Sequence, residues 1–247
     1  MLRRLSALLL SLLSALAGAA DLKVMSAGAV EPGLVPLARI FEQQSGHRVQ
    51  IVFATAPVLK QRLAAREVAD MLIAPPAVVD EAIAADLALA QDRLPLGRVG
   101  VGVVARSNAP APDISTTEAL KASLLAADAL VYNRASTGLY FEQLIERLGL
   151  TAPLAAKTTR YADGAAVLDH LARGKGGEFG VAATTEIIAH VPKGVKLVGP
   201  LPAAVQNYTA YVATVMRAAP AAEAARAFIA FLGSAAGKAR FAEAGIE

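Results

Sequence analysis

The chain has 247 residues, of which 55% are hydrophobic and 18% charged, a composition typical of a globular protein rather than a disordered one. It contains no cysteine, which excludes disulfide scaffolds, thiol enzymes and cysteine-ligated metal centres. The formal charge of +3 falls to +1 without Arg3 and Arg4, because 22 basic residues then face 21 acidic ones. A clustered basic face is not indicated, so we expect no nucleic-acid partner.

The first twenty residues have the pattern of a cleavable signal peptide. A cationic start precedes an apolar run over residues 5–17, and the small residues at 17–19 suit a signal peptidase. The run is too short to span a hydrocarbon core of ~30 Å as a helix. We therefore predict a signal peptide over residues 1–20, cleaved after Ala19 or Ala20, and an exported, soluble product in the periplasm.

Short strands alternate with helices along the remaining chain. Strands are predicted over residues 22–25, 49–53, 70–74, 98–105, 129–132, 158–161, 179–182 and 208–216. Helices are predicted around residues 34–41, after Pro57, over 119–126, 139–148 and 165–173, and twice near the C-terminus. Pro75-Pro76 ends the third strand, Asp70 is expected to be structural, and residues 115–118 (STTE) indicate a capping box. This alternation predicts βαβ units and a mostly parallel sheet.

Two α/β units of roughly 100 residues each follow from this order. The second is predicted to be inserted into the first, because the final helices have no strand partners unless they pack on the N-terminal unit. We expect one lobe over 21–98 and 206–247, and a second over 99–205. Two lobes joined by two crossing segments form a hinged cleft, the usual place for a ligand. Residues 206–208 (QNY) lie where the chain crosses back, and could contact either ligand or hinge.

The order and spacing of several segments resemble the bacterial periplasmic solute-binding proteins, specifically the molybdate-binding-like branch. The chain is also similar to the periplasmic aconitate isomerases built on the same fold. The resemblance implies a two-lobed binding protein that delivers a small anion to the membrane permease of an ABC transporter. The segments that carry it are LKVMSAGAVEPGL (22–34), FEQQSGHRVQIVFATAPVLKQRL (41–63), ADMLIAPP (69–76), YNRASTGLYFEQLIERLGL (132–150), GEFGVAATTEI (177–187) and VGPLPAAVQNYTAY (198–211).

The same resemblance bears on the ligand. Molybdate binders of this family hold a tetrahedral oxyanion with serine hydroxyls after the first two strands, with backbone amides, and with a tyrosine from the inserted lobe. The corresponding positions here are Ala29, Ala56 with Thr55 beside it, and Ala183. Because these hydroxyls are absent or displaced, we expect a di- or tricarboxylate rather than a molybdate-type oxyanion.

Small residues follow the predicted strand ends, where helices begin. Ser26, Gly28 and Ala29 follow the first strand, and Thr55 and Ala56 follow the second. In parallel α/β sheets these strand ends face the cleft, and each helix start offers N–H donors that suit an anion. The alternative for any one of them is a capping or turn residue without contact to a ligand.

The segment NRASTGLYF (133–141) is the strongest candidate for ligand binding. Ser136 or Thr137 can cap a helix, Gly138 permits close approach of the backbone, and the guanidinium of Arg134 matches a carboxylate. The alternative is an ordinary helix cap beside a solvated arginine.

The segment KTTRYADG (157–164) repeats this arrangement with Arg160, Tyr161 and Asp163. Asp163 is expected to cap the next helix more than to contact a ligand. Arg62 is expected to be an ordinary solvated helix position, like Lys60.

The remaining signals exclude other chemistries. His47, His170 and His190 are too widely spaced for a metal site, and no cofactor-binding motif occurs, so neither metal nor cofactor is expected. We expect a monomeric binding protein, with an aconitate-isomerase-like enzyme as the alternative. In the alternative, Glu31, Asp163 or Tyr161 would act as acid or base. A sensor that presents its ligand to a receptor is a third possibility.

Overall fold

The computed structural model describes residues 19–247, so the predicted signal peptide lies outside the described residues except for Ala19 and Ala20. Within residues 19–247 there are nine β-strands and ten α-helices. The strands are β1 (Asp21–Ala27), β2 (Arg48–Ala54), β3 (Met71–Ala74), β4 (Leu94–Arg106), β5 (Leu130–Asn133), β6 (Thr158–Tyr161), β7 (Phe179–Ala183), β8 (Val195–Pro200) and β9 (Tyr208–Val215). The helices are α1 (Glu31–Ser45), α2 (Ala56–Ala64), α3 (Pro76–Ala84), α4 (Thr117–Ala126), α5 (Ser136–Arg147), α6 (Thr151–Leu154), α7 (Gly164–Arg173), α8 (Thr184–His190), α9 (Ala222–Leu232) and α10 (Ala235–Glu243).

The strands form one curled sheet in the order β2-β1-β3-β9-β4-β7-β5-β6, with β8 paired to β4. The pairs β1–β2, β1–β3, β5–β6 and β5–β7 are parallel. The pairs of β9 with β3 and β4, and of β4 with β7 and β8, are antiparallel. The prediction of a mostly parallel sheet was therefore wrong: three strands of each lobe are parallel, and the strands that cross between lobes run against them.

The molecule is two-lobed. Lobe 1 contains β1–β3, α1–α3 and the returning elements β9, α9 and α10, whereas lobe 2 contains β5–β8 and α4–α8. Buried apolar side chains of residues 22–99 and 211–246 form one cluster, joined by Ala183, and those of residues 101–201 form two others. The long strand β4 takes part in both lobes, and its side chains pass from one core to the other between Val99 and Val101.

The C-terminal helices pack back on the N-terminal unit, as predicted. The ring of Phe228 on α9 lies 4.8 Å from that of Phe41 on α1, between ring centroids. Asp70 is buried, and its carboxylate accepts hydrogen bonds from the backbone amides of Lys23 (2.8 Å) and Ala221 (2.7 Å). Asp70 therefore joins β1 to the start of α9, which confirms its structural role.

Some local predictions need correction. Pro76 begins α3 rather than only ending a strand, because proline at the first helical position lacks an N–H that would have no partner there. The cap of α4 is Thr116, whose hydroxyl accepts from the Ala119 amide at 3.0 Å, so the helix begins earlier than predicted. Four elements were not predicted: α3, α6, α8 and β8. The last three are short and lack a clear apolar period.

Candidate functional site

A cavity of about 350 Å³ lies between the lobes, where strands end and helices begin. In parallel α/β units these carboxyl ends of strands are the usual position for a ligand. The residues that line the cavity come from the ends of β1, β2, β3, β5, β6 and β7, with one residue from β9. They include Gly28, Ala29, Glu31, Phe53, Thr55, Ala56, Val58, Arg62, Pro75, Asn133, Ser136, Thr137, Asp163, Gly164, Ala183, Glu186 and Tyr211.

The lobe 1 side of the cavity is made mostly of backbone and small residues. The starts of α1, α2 and α3 have no hydrogen bond from a capping side chain, and each helix has a proline at its first or second position. Proline removes one donor, and other amides of a first turn generally have no partner within the helix. Here the Glu31 amide donates to the carbonyl of Gly28 and the Val78 amide to that of Pro75, so only some of the first-turn amides remain for a ligand. The hydroxyl of Thr55, at the N-cap of α2, does not bond to that helix. Lobe 1 therefore offers hydrogen-bond donors to an anion.

The lobe 2 side of the cavity instead carries side-chain acceptors. Asn133 is buried, and its Oδ1 accepts from the amides of Ala135 (3.0 Å) and Gly138 (3.1 Å) at the start of α5. Asp163 accepts from the Ala166 amide at 2.9 Å and caps α7, as the sequence predicted. These acceptors occupy amides that a ligand could otherwise use.

Glu186 is the titratable group that is most perturbed toward neutral pH in this cavity. A Cβ placed on Gly164 would lie 2.1 Å from Glu186 Oε2, and one on Gly28 would lie 3.3 Å from Oε1. The carboxyl group thus fits between a glycine of each lobe. Burial, together with the negative charges of Asp163 and Glu31, raises the pKa of Glu186 to about 7, against the lowering effect of the Ala183 backbone amide.

Tyr211 on β9 closes the floor of the cavity and is almost fully buried. Burial raises the pKa of its phenol, and the nearby charge of Glu186 raises it further, so the hydroxyl stays protonated. Thr185, the residue before Glu186 on α8, donates from Oγ1 to the carbonyl oxygen of Ala29 at 2.6 Å. This hydrogen bond joins the start of α8 in lobe 2 to the turn after β1 in lobe 1.

Arg62 is the basic member of the described cavity lining, although the sequence analysis expected a solvated position. Its Nη1 contacts both carboxylate oxygens of Glu67, at 3.0 and 3.1 Å. Lys23 also donates to Glu67 (2.9 Å), and this bond is the main reason that the pKa of the Glu67 carboxyl lies below its usual value. The charge of Arg62 is therefore partly compensated before a ligand arrives.

The structure places seven of the twelve predicted ligand-binding residues on the cavity lining. They are Gly28, Ala29, Thr55, Ala56, Ser136, Thr137 and Asp163. The other five lie outside the lining: Ser26, Arg134, Gly138, Arg160 and Tyr161.

Each of those five residues has another environment. Ser26 is buried and donates from Oγ to the carbonyl of Ala27 at 3.1 Å. Gly138 packs on the carbonyl of Asn133, where an added Cβ would lie only 1.7 Å from the oxygen. Arg134 is exposed, and only its backbone amide, which donates to the Tyr161 carbonyl, has a protein partner among the described residues.

Arg160 and Tyr161 contact other side chains of lobe 2. Arg160 forms an ion pair with Glu142 of α5. The hydroxyl of Tyr161 lies 2.6 Å from Nδ1 of His170, whose Nε2 lies 2.7 Å from Glu178. Similarly, the side chain of Gln206 bonds to the backbone of Val101, so it belongs to the crossing segment rather than to the cavity.

Sequence reasoning missed Glu186, Tyr211 and Asn133. Asn133 is the last residue of a buried strand immediately before a predicted cap, a position that could have indicated it. Glu186 lies three residues after the strand that ends at Ala183. Carboxylates at the start of the following helix, considered together with hydroxyls, would have identified it. In the part of the chain that the structure describes, no cluster of three or more His, Cys, Asp or Glu residues has the arrangement of a metal site. No helix within residues 19–247 is long and apolar enough to cross a membrane.

An inter-lobe cavity in a two-lobed α/β fold defines a class of ligand-binding proteins, and comparison with known families agrees. The family model "Bacterial extracellular solute-binding protein" matches residues 22–247. The chain therefore belongs to the bacterial extracellular solute-binding proteins.

The similar proteins include an enzyme as well as binding proteins. The chain is 29% identical over 219 residues to an aconitate isomerase from a Pseudomonas species. The alignment covers 86% of this chain and 82% of the relative. The periplasmic molybdate-binding protein of Azotobacter vinelandii superposes with a TM-score of 0.78 at 18% identity, covering 92% and 98% of the two chains. PEB3 of Campylobacter jejuni with bound L-phospholactate superposes with a TM-score of 0.69 at 15% identity, covering 91% and 98%. At these identities the two structures show a common fold.

Proposed function

We propose that this protein is a periplasmic binding protein that captures a small organic acid with two or three carboxylates. It would act as a monomer and deliver its ligand to the membrane permease of an ABC transporter. The observation that carries the proposal is the size and lining of the cavity: about 350 Å³, with the apolar side chains of Phe53, Val58 and Pro75 beside polar groups. A volume in this range suits a small organic ligand.

The chemistry of the walls supports a ligand with a carbon skeleton. A bare tetrahedral oxyanion gains little from apolar walls, whereas the methylene groups of an organic acid can pack against Phe53 and Val58. The hydroxyls of Thr55, Ser136 and Thr137 line the cavity without a protein partner for their side chains among the described residues. They can donate to carboxylates from both lobes, together with the free amides of lobe 1.

The direct test is the thermal midpoint of residues 21–247 with molybdate, tungstate, sulfate, phosphate, citrate, tricarballylate and both aconitate isomers. A ligand at 100 times its dissociation constant adds about 2.7 kcal/mol of stability, which raises the midpoint by several degrees for a chain of this size. We expect a rise with at least one carboxylate and none with molybdate. A rise with molybdate and tungstate alone would overturn the choice of ligand.

A matched pair of variants assigns the binding to this cavity. Thr137→Val removes a hydroxyl from the lining while keeping the shape of the side chain, so it should reduce the carboxylate-induced rise. Thr151→Val makes the same change on the exposed start of α6 and should leave the rise intact. Equal behaviour of the two variants would place the ligand elsewhere.

A second candidate is an isomerase that moves a proton on an unsaturated tricarboxylate. The observation that favours it is Glu186, a carboxyl on the cavity whose pKa is raised to about 7, near the value that suits a general acid or base. The aconitate isomerase relative is consistent with this candidate. Incubation with cis-aconitate followed by chromatography separates the two functions. Conversion that Glu186→Gln abolishes would favour the isomerase, whereas recovery of unchanged ligand would favour the binding protein.

A further inference from the structure

We propose that Glu186 takes up one proton from solvent when the anion binds, so that the cavity captures its ligand and a proton together. This inference rests on the proposed binding of a carboxylate ligand. The protonation of Glu186 would then decide how much negative charge on a ligand the cavity accepts, and the affinity for that ligand would depend on pH.

The charged residues on the cavity lining are mostly acidic. Glu31, Asp163 and Glu186 line it, whereas Arg62 is the basic residue on the described lining and already contacts Glu67. A ligand with two or three carboxylates would meet an excess of negative charge. Neutralising one carboxylate of the protein removes part of that repulsion at the point where the ligand enters.

The Glu186 carboxyl group is packed between the two lobes. It lies where a side chain on Gly164 would clash with it and where one on Gly28 would be in tight contact, so both glycines leave the space that it occupies. No side chain among residues 19–247 donates a hydrogen bond to it. The backbone amide of Ala183 is the group that stabilises the ionised form, and the carboxyl lines the cavity, where a ligand can reach it.

Charged and titratable groups face Glu186 from several elements packed around it. Glu31 comes from the start of α1, Asp163 precedes α7, and Tyr211 lies on β9. On α8 itself, Nδ1 of His190 lies 2.9 Å from the backbone carbonyl of Glu186. The neighbouring charges that act on the carboxyl are negative. Together with burial, they raise the pKa of Glu186 to about 7.

Protonation changes what Glu186 can do for an anion. An ionised carboxyl only accepts hydrogen bonds, whereas a protonated one donates its O–H. A ligand carboxylate placed beside Glu186 would share that proton, as two adjacent carboxylates do when one of them cannot ionise. The proton leaves solvent or buffer, forms the O–H bond on Glu186 and stays there until the ligand departs. No other bond forms or breaks.

Calorimetric titration with tricarballylate at pH 8 tests this directly, since the ligand is fully ionised at that pH. Heats measured in HEPES and in Tris, which differ in ionisation enthalpy and supply no candidate ligand of the panel, give the number of protons taken up. We expect about one proton per ligand at pH 8 and a dissociation constant that rises roughly tenfold between pH 8 and pH 9. Between pH 8 and pH 6.5 both the proton uptake and the pH dependence should decrease, because an increasing fraction of Glu186 is protonated before the ligand binds.

Two variants identify the group. Glu186→Gln keeps the shape and a donor, so it should bind tricarballylate at pH 8 without proton uptake and with an affinity that is nearly constant from pH 7 to pH 9. Glu31→Gln removes another carboxylate of the same cavity but should retain the uptake. Uptake that persists in Glu186→Gln would overturn the inference, and so would heats in the wild-type protein that are independent of the buffer.

The result also separates this inference from the proposed function. If tricarballylate binds without proton uptake, the carboxylate function stands and the role of Glu186 fails. If no carboxylate in the panel binds at any pH, both fail. If molybdate binds instead, with one proton taken up by Glu186, the role of Glu186 stands and the choice of ligand fails.

Discussion

In lobe 1 the helices that begin at the cavity have no capping side chain bonded to their first turns, whereas in lobe 2 Asn133 and Asp163 bond to the starts of α5 and α7. The two halves of the cavity are built from similar strand–helix junctions. In lobe 1 no junction has a capping side chain, whereas in lobe 2 two of the three junctions on the cavity have one and α8 begins without. Lobe 1 is therefore suited to hold a ligand's negative charge, and lobe 2 to set its shape and protonation. The same local fold thus performs two tasks, depending on which residue follows the strand.

The largest difference between the two halves should appear at their junction glycines. Gly138→Ala in lobe 2 places a Cβ 1.7 Å from the backbone carbonyl of Asn133, which has no room to move. We expect a loss of about 3 kcal/mol in the free energy of unfolding, measured by urea denaturation. Gly28→Ala in lobe 1 meets only the Glu186 carboxyl at 3.3 Å, so it should cost less than about 1 kcal/mol. Equal losses would show that the two junctions are equally tight.

The second difference is that lobe 2 carries Glu186, whose titration makes the free energy of unfolding depend on pH. The pKa of Glu186 is raised from 4.5 to about 7, so the native state binds more protons than the unfolded state between these values. The free energy of unfolding should therefore fall as pH rises from 4.5 to 7, and stay lower above 7. The full shift corresponds to roughly 3 kcal/mol, and contact of the carboxyl with solvent in the cavity reduces it to about 2 kcal/mol.

Glu186→Gln tests that pH dependence. The variant should unfold with a free energy similar to that of the wild-type protein near pH 4.5, and should be more stable by about 2 kcal/mol at pH 8. Asp163→Asn keeps an acceptor for the cap but removes a negative charge that raises the pKa of Glu186. In this variant the fall in the free energy of unfolding should therefore occur at lower pH than in the wild-type protein. Parallel profiles for the wild-type protein and Glu186→Gln would contradict the assignment of this titration to lobe 2.

The smallest expected effect separates capping from ligand binding. Asn133→Ala leaves two amides at the start of α5 without their acceptor and should cost about 1 kcal/mol in the free energy of unfolding. Thr55→Ala occupies the corresponding place in lobe 1, where the hydroxyl does not bond to the helix. It should change stability by less than about 0.5 kcal/mol while reducing the thermal shift that the carboxylate ligand produces. A large loss of stability in Thr55→Ala would remove the contrast between the lobes.

Much of the fold could be predicted from local patterns. The apolar face of α1, with Leu34, Leu37, Ala38 and Phe41, is buried as its helical spacing indicates. Strand direction could not be predicted in the same way, because β4 and β9 read as ordinary strands and their antiparallel pairing depends on distant partners. Sequence-based expectation therefore succeeded for most of the long elements, missed α3 and the short elements α6, α8 and β8, and failed to predict strand direction where the chain crosses between lobes.

The candidate site shows the same contrast between local positions and contacts with distant partners. Backbone positions at strand ends, such as Gly28 and Thr55, could be predicted because their place follows from the fold class. The arginines could not, since the ion pair that holds Arg160 involves Glu142 on another helix. Glu186 resembles an exposed helix position in the sequence. Only the approach of Gly28 and Gly164 from other parts of the chain places it in the cavity.

The position of β9 between β3 and β4 determines the order in which the molecule can be completed. Residues 101–201 supply two buried clusters from a continuous stretch, so the buried contacts of lobe 2 are available as soon as that stretch has been synthesised. The sheet of lobe 1 lacks its connecting strand until residue 215 emerges, and its β3 edge stays unpaired until then. The half of the protein that begins first is thus the half that finishes last, and it depends longest on whatever keeps the nascent chain from aggregating.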